Sequence, residues 1–180
     1  KTKSKRVLIS ILLSVLALLL LAVVVIGWYF PRFIARKEAV TMSPKKGNIT
    51  MMSCNLRCLT PLDLGKKSWF YRADLLLDVI EQQAPGIIGF QEAQYKSQWI
   101  YLKEQLRADY DGYGVGRTDG KESGETMGIL YDRNLVEMID CGTFWLSETP
   151  EKPSRSWGMT MNRTATWGLF KHLHTGKEFF

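Results

Sequence analysis

Two oxygen-bearing side chains, Asn55 and Glu92, each close a short apolar segment. The first reads Met51-Met52-Ser53-Cys54-Asn55 and the second Gly86-Ile87-Ile88-Gly89-Phe90-Gln91-Glu92. Brought together, an amide oxygen and a carboxylate can seat a hard cation such as magnesium, or manganese in its place. Taken singly, each has a plainer reading. Asn at a strand end makes an Asx turn as the chain leaves a sheet, and an acid just before a helix is favoured by the helix dipole. The chemistry therefore depends on whether the intervening chain carries the two segments side by side.

The pattern between them answers that it does. Phe70, Ala73, Leu76, Leu77, Ile80 and Ala84 recur at helical spacing from about Trp69, and Pro85 stops the run. Strands at 49–56 and 86–91, joined by one helix, are predicted to lie parallel and adjacent through a right-handed crossover. The second segment is apolar without alternation, as in a strand covered on both faces. The loop at 60–67 carries Pro61 and Gly65. A second amphipathic helix is expected over 95–106, with Tyr95, Trp99, Leu102 and Leu106 on one side. Short strands are expected at 113–117, 126–131 and 135–140, a loop at 143–157 with Pro150 and Pro153, a strand at 165–172, a hairpin turn at 174–177 and a strand beginning at 178.

Strand one ending in Asn55, a helix, and Gln91-Glu92 closing the next strand resemble the opening of the endonuclease/exonuclease/phosphatase superfamily of metal-dependent phosphoesterases. The resemblance implies an α/β fold in four layers, a two-sheet β-sandwich flanked by helices, of which this chain would carry the N-terminal half. It implies Glu92 as the direct magnesium ligand and Asn55 as a metal-site or water-mediated partner. Gly124-Glu125-Thr126-Met127-Gly128-Ile129-Leu130-Tyr131 resembles the segment where the family places a Glu that orients its catalytic histidine; Glu125 matches it, against the plainer reading of a solvated loop acid. Asn162-Arg163-Thr164-Ala165-Thr166-Trp167 resembles the family's Arg entering a strand, so Arg163 is implied to bond a phosphate oxygen; otherwise it is an edge-strand arginine in solvent.

Other residues stay outside that assignment. His172 and His174 flank the predicted hairpin turn and are read as hairpin surface residues, because the family's histidine belongs to a later strand. The stretch from Gly142 to Pro150, followed by Trp157-Gly158, resembles one common in a bacterial branch of the superfamily, and there Trp145 and Trp157 either stack on a sugar or base or serve as aromatic core or loop packing. The family's Pro-Asp before its second strand is Pro85-Gly86 here, a change at a turn rather than at a ligand.

Charge and hydropathy set the surroundings. An uncharged run from Val7 to Phe30 ends in Trp28-Tyr29-Phe30, longer than the roughly 20 residues needed to cross a bilayer and closed by interfacial aromatics. Its bulky end lacks a small-residue cleavage site, so an uncleaved signal anchor is expected. Lys1, Lys3, Lys5 and Arg6 crowd its N-terminal side, which places the globular part outside the cytoplasm. The net charge of +6 comes from these cations and from Arg32, Arg36, Lys37, Lys45 and Lys46; in the rest, acids slightly outnumber bases. The high pI is then a membrane-flank property and not the footprint of a duplex-binding surface. Cys54, Cys58 and Cys141 have no metal-site spacing and are read as small, buried thiols.

The domain organisation expected is a basic flank at 1–6, a transmembrane anchor at 7–30, a linker at 31–48 and the first part of the catalytic domain at 49–180. The function expected is a single-pass, membrane-anchored phosphoesterase using Mg2+ or Mn2+ on a phosphate mono- or diester of nucleic acid, nucleotide or phospholipid type. A catalytically inactive member serving as an anchored binding module is the alternative. The membrane, through 7–30, and the phosphate-ester substrate are the partners expected, with no protein partner. The catalytic histidine and a final acid would lie beyond residue 180, leaving this piece inactive by itself.

Overall fold

The computed structural model describes residues 2–29 and 49–180. Lys1, Phe30 and the expected linker at 31–48 lie outside the described residues. The described chain falls into two compact units, one holding the N-terminal helix with 61–75, the other holding 49–60 with 76–180. Helix α1 (Thr2–Tyr29) contains a 21-residue stretch, Lys5–Val25, of mean hydropathy 3.2. It is long and apolar enough to cross a membrane.

The larger unit is built on two sheets. Strands β1 (Met51–Asn55) and β2 (Ile87–Gln94) run parallel, with Met51 opposite Ile87 and Asn55 opposite Gln91. Helix α2 (Trp69–Gln83) stands between them in sequence and ends two residues before Pro85. Its Leu77 and Ile80 are fully buried, as their helical spacing requires. Next come a wide π-type turn (Tyr95–Trp99), α3 (Ile100–Leu106), β3 (Tyr110–Tyr113) and β4 (Glu125–Asp132). The first sheet has the order β1-β2-β4-β3, parallel only between β1 and β2. Strands β5 (Val136–Trp145), β6 (Thr164–His172) and β7 (Glu178–Phe179) form the second sheet, wholly antiparallel. The fold is the expected one, an α/β arrangement of two sheets with helices.

The sheets meet through Ile87, Val136 and Phe170, packed with Ile49, Ile129, Tyr131, Leu135, Met138 and Phe179. Tyr131 meets Phe170 edge to face at 5.6 Å, the geometry that ring quadrupoles favour. On the other side of the first sheet, Trp99 lies edge-on to Phe90 at 6.4 Å. Its ring passes so close to β4 that a Cβ at Gly128 would stand 2.3 Å from it, so only glycine fits there.

Several elements depart from the sequence reading. The strand expected at 113–117 lies at 110–113, and only Gly116 makes an isolated bridge, to Thr126. The helix expected over 95–106 opens as the wide turn, in which Gln98 and Trp99 are both buried. Thr143-Phe144-Trp145, read as loop, continues β5, because β6 supplies a partner for each and Thr143 meets Thr166 hydroxyl to hydroxyl at 2.9 Å. His172 is not a surface residue. It is buried, and its Nδ1 accepts the N–H groups of His174 at 3.1 Å and Thr175 at 3.2 Å, which shapes the turn into β7; His174 is exposed, as expected. The three cysteines form no disulfide and are only partly buried, not buried as expected.

Replacing Gly128 with Ala forces the Trp99 ring away from the sheet. A loss of about 1–3 kcal/mol is expected for this overpacking, read from the urea midpoint at unchanged m-value.

Candidate active site

Site geometry begins with the parallel pairing. The ladder continues one step past β1, where Leu56 N–H donates to the Gln91 carbonyl at 2.9 Å, so the pairing of the two strands runs out beside Glu92 while β2 goes on to Gln94 against β4. Asn55 Nδ2 donates to Glu92 Oε1 at 2.9 Å. The Asx turn also forms, since Arg57 N–H donates to Asn55 Oδ1 at 2.8 Å. Asn55 thus turns the chain and touches the acid with one side chain.

Glu92 reaches Asn55 through an irregularity in β2. The pairing with β4 shifts between Phe90 and Ala93, and Glu92 takes a φ of 56°. A bulge inserts a residue and re-aims a side chain. A non-glycine residue in the left-handed region costs about 1–3 kcal/mol and persists only where its surroundings hold it. Arg57, across the rim, is left-handed too, with φ of 53°. Beyond it the Cys58 N–H donates to Glu92 Oε2 at 3.2 Å, so each carboxylate oxygen receives one hydrogen bond. These bonds, first from Asn55 and then from Cys58, hold the Glu92 carboxyl below the usual glutamate range, and the charges of Arg57 and Arg117 act in the same direction. The group is a carboxylate at neutral pH.

A second acid lies one strand away. Glu125 opens β4 opposite Gln94, and its two oxygens accept from Arg117 Nη1 at 2.8 Å and Nη2 at 3.0 Å. The pair is largely shielded, with side chains 11% and 17% exposed. Two parallel charge-assisted bonds fix both groups in one plane. The backbone supports this placement: Arg117 N–H donates to the Glu125 carbonyl at 2.9 Å, and the Arg117 carbonyl accepts from Trp145 Nε1 at 2.7 Å and Asn162 Nδ2 at 3.1 Å. Between Arg117 and Glu125 the loop is closed on itself by Asp119, whose Oδ1 accepts from Lys121 and Ser123. The Cys58 thiol sits 3.3 Å from Gln94 Oε1. Burial, then the charge of Glu125, pushes that thiol up against the opposing pull of Arg117, so it is a protonated donor at neutral pH rather than a nucleophile.

The structure therefore gathers Asn55 and Glu92 in direct contact and sets Glu125 on the next strand. Arg163 is exposed immediately before β6 and makes no side-chain hydrogen bond to any of them. Its neighbour Asn162 makes the link, through the Arg117 carbonyl. Sequence reasoning missed Arg117. It stands among glycines and charged turn residues, and only its bidentate hold on an acid eight positions on marks it. Trp145 is buried and bonded, hence packing; Trp157 is 69% exposed.

The donor set fits a hard cation. Among the described residues no group of three or more His, Cys, Asp and Glu stands together, so this chain offers one ionised carboxylate and one amide. Magnesium takes one or two carboxylates and keeps several waters.

No family profile matches the sequence, and no curated protein matches it. Solved structures do. An endonuclease/exonuclease/phosphatase family protein of Bacteroides thetaiotaomicron is 37% identical over 73% of this chain and 47% of its own, with a TM-score of 0.68. An endonuclease/exonuclease/phosphatase of Bacteroides vulgatus is 38% identical over 71% and 48%, with a TM-score of 0.67. A mannosyl-6-phosphatase of Bacteroides thetaiotaomicron is 36% identical over 73% and 49%, with a TM-score of 0.69. The chain thus spans about half the length of the structures it matches, and within that span it has their fold.

The depressed Glu92 carboxyl stabilises the fold above the ordinary glutamate range, and that contribution is lost as pH falls through its lowered folded value. Glu92→Gln is expected to flatten this part of the acid-side slope in urea midpoints measured from pH 7 to pH 3.

Proposed function

We propose that this chain is part of a phosphoesterase of the endonuclease/exonuclease/phosphatase superfamily, held at a membrane by α1, that hydrolyses phosphate esters with Mg2+ or Mn2+. The observation that carries the reading is the Asn55–Glu92 hydrogen bond across the rim of two parallel strands. A strand edge has simpler ways to turn than through a left-handed glutamate. The cost is accounted for if the carboxylate has to face outward beside an amide.

Glu92 would hold the cation directly, with Asn55 ordering Glu92 and a bound water. When bound, the ion supplies charge to polarise a phosphoryl oxygen and to stabilise the departing one. Arg163, exposed before β6 and without a side-chain bond to Asn55, Glu92 or Glu125, would set two parallel donors against the non-bridging oxygens. Glu125 keeps acceptor capacity beyond its two bonds to Arg117, and by resemblance would orient a histidine supplied by the rest of the protein. Arg117, paired with Glu125, also sets its positive charge toward Glu92.

The likeness to a protein named as a mannosyl-6-phosphatase favours a sugar phosphate monoester among the substrates. The globular part, with acids slightly in excess, does not favour long duplex DNA.

The test is turnover of para-nitrophenyl phosphate and its bis ester by the longest natural form of the protein, with and without EDTA. Turnover of at least one ester, abolished by EDTA and restored by Mg2+ or Mn2+, is expected. Glu92→Ala should lower kcat/KM by at least about 100-fold. Arg163→Ala should lower kcat by about 100- to 1,000-fold, and Arg163→Lys should recover little of it, since an ammonium lacks the paired donors. Metal binding without turnover would favour the inactive binding module; turnover indifferent to EDTA and to Glu92→Ala would contradict the proposal.

A further inference from the structure

Gln98 is a fully buried polar side chain, 0% exposed, behind the site and not part of it. It spends its amide on three separate backbone positions. Oε1 accepts from Leu59 N–H at 2.8 Å and from Gln94 N–H at 3.1 Å, and Nε2 donates to the Arg57 carbonyl at 3.2 Å. A glutamine can do this because its carbonyl has two lone pairs and its amino group a matched donor. No apolar residue of that volume makes any of these bonds, and a carboxylate makes only the accepted two.

The three partners are the ends of the two segments that carry the candidate ligands. Arg57 and Leu59 bracket Cys58, whose N–H holds Glu92 Oε2, and Arg57 N–H in turn holds Asn55 Oδ1. Gln94 ends β2 just beyond the bulge that contains Glu92. Both left-handed residues, Arg57 and Glu92, therefore lie within two positions of a backbone group that Gln98 bonds. Strained backbone is kept only where its surroundings over-determine it, and here the fastening on both sides comes from one side chain. Gln98 stands in the wide turn Tyr95–Trp99, and such local π geometry is frequent beside functional sites.

We infer that Gln98 is the positioning residue of the metal centre: it locks the loop 57–59 to the end of β2 and so sets the distance between Asn55 and Glu92, touching neither cation nor substrate. The inference rests on the metal-centre reading given above. Ligand-supporting hydrogen bonds of this kind are worth about 10- to 100-fold in metal affinity.

The experiment titrates Mn2+ alone by calorimetry into the longest natural form of the protein, as wild type, Gln98→Leu and Gln98→Glu, and follows amide hydrogen exchange at Leu59 and Gln94 without metal. Gln98→Leu is expected to weaken Mn2+ binding by about 10- to 100-fold and to speed exchange at both amides relative to the Ile88 and Leu130 core amides. Saturating Mn2+ should restore kcat, because no catalytic contact is lost. Gln98→Glu, which keeps the two accepted bonds and turns the donated one into a repulsion, should retain protection at both amides and still lose about tenfold in Mn2+ affinity. Wild-type affinity in a folded Gln98→Leu overturns the inference, and if that variant does not fold, wild-type affinity in Gln98→Glu does so. Failure of the wild type itself to bind Mn2+ overturns the metal-centre reading and the positioning role with it, an outcome separable from variants that match a binding wild type.

Discussion

A hydrogen bond between side chains, Asn55 Nδ2 to Glu92 Oε1, ties β1 to β2 at the point where their pairing with each other runs out. It exists because β1 and β2 are parallel neighbours, and parallel neighbours require a crossover long enough to bring the chain back to the same edge. That requirement explains α2, the apolar run of β2 and Pro85 at the helix end. It also brings Asn55 and Glu92 to the carboxyl ends of parallel strands, where an α/β sheet offers side chains and turning backbone together.

The rim is held by polar contacts rather than by apolar packing, and its cost is visible in the backbone. Glu92 and Arg57 both adopt left-handed φ, an uncommon choice for residues with long side chains. Glu92 sits in a bulge, and the Cys58 N–H and the Asn55 amide close on it from the opposite strand. Behind them lies the buried Gln98 amide, and beside them the Arg117–Glu125 ion pair. A shielded pair of this kind contributes little net stability after desolvation. Its value here is orientation: both terminal nitrogens of the guanidinium bond one carboxylate, which fixes the plane of that acid. The sandwich core of Ile87, Val136 and Phe170 supplies the rigid frame that makes such alignment possible.

Much of the frame was legible in the sequence because it is written in periodicity. Phe70, Ala73, Leu77 and Ile80 announce α2, and the unbroken apolar stretch before Gln91 announces a central strand. Asn55 does end its strand; Glu92, expected to close the second, lies instead at a bulge inside β2, which runs on to Gln94 because β4 supplies partners for Ala93 and Gln94. The supporting residues were not legible. Gln98 is a polar residue in an amphipathic helical pattern and reads as solvent-facing; only the wide turn carries it inward. Arg117 hides in a glycine-rich loop whose closure by Asp119 depends on backbone that composition does not specify. The loop placement of Trp145 and the surface reading of His172 failed for a shared reason: the two residues stand in the terminal pairs of the β5–β6 ladder, Trp145 with Thr164 and His172 with Val136. In each case a tertiary partner decided what local sequence left open.

The account stands on Asn55 and Glu92 serving one cation. The most direct test is a crystal structure of the protein soaked with Mn2+, with the ion located by its anomalous scattering. The account predicts a peak about 2.0–2.2 Å from a Glu92 oxygen, a distance at which hard divalent ions bind carboxylates, on the side of the rim that Asn55 faces. An ion bound elsewhere with the Glu92 carboxylate still turned to Asn55 and Cys58, or no ordered ion at millimolar Mn2+, would contradict it.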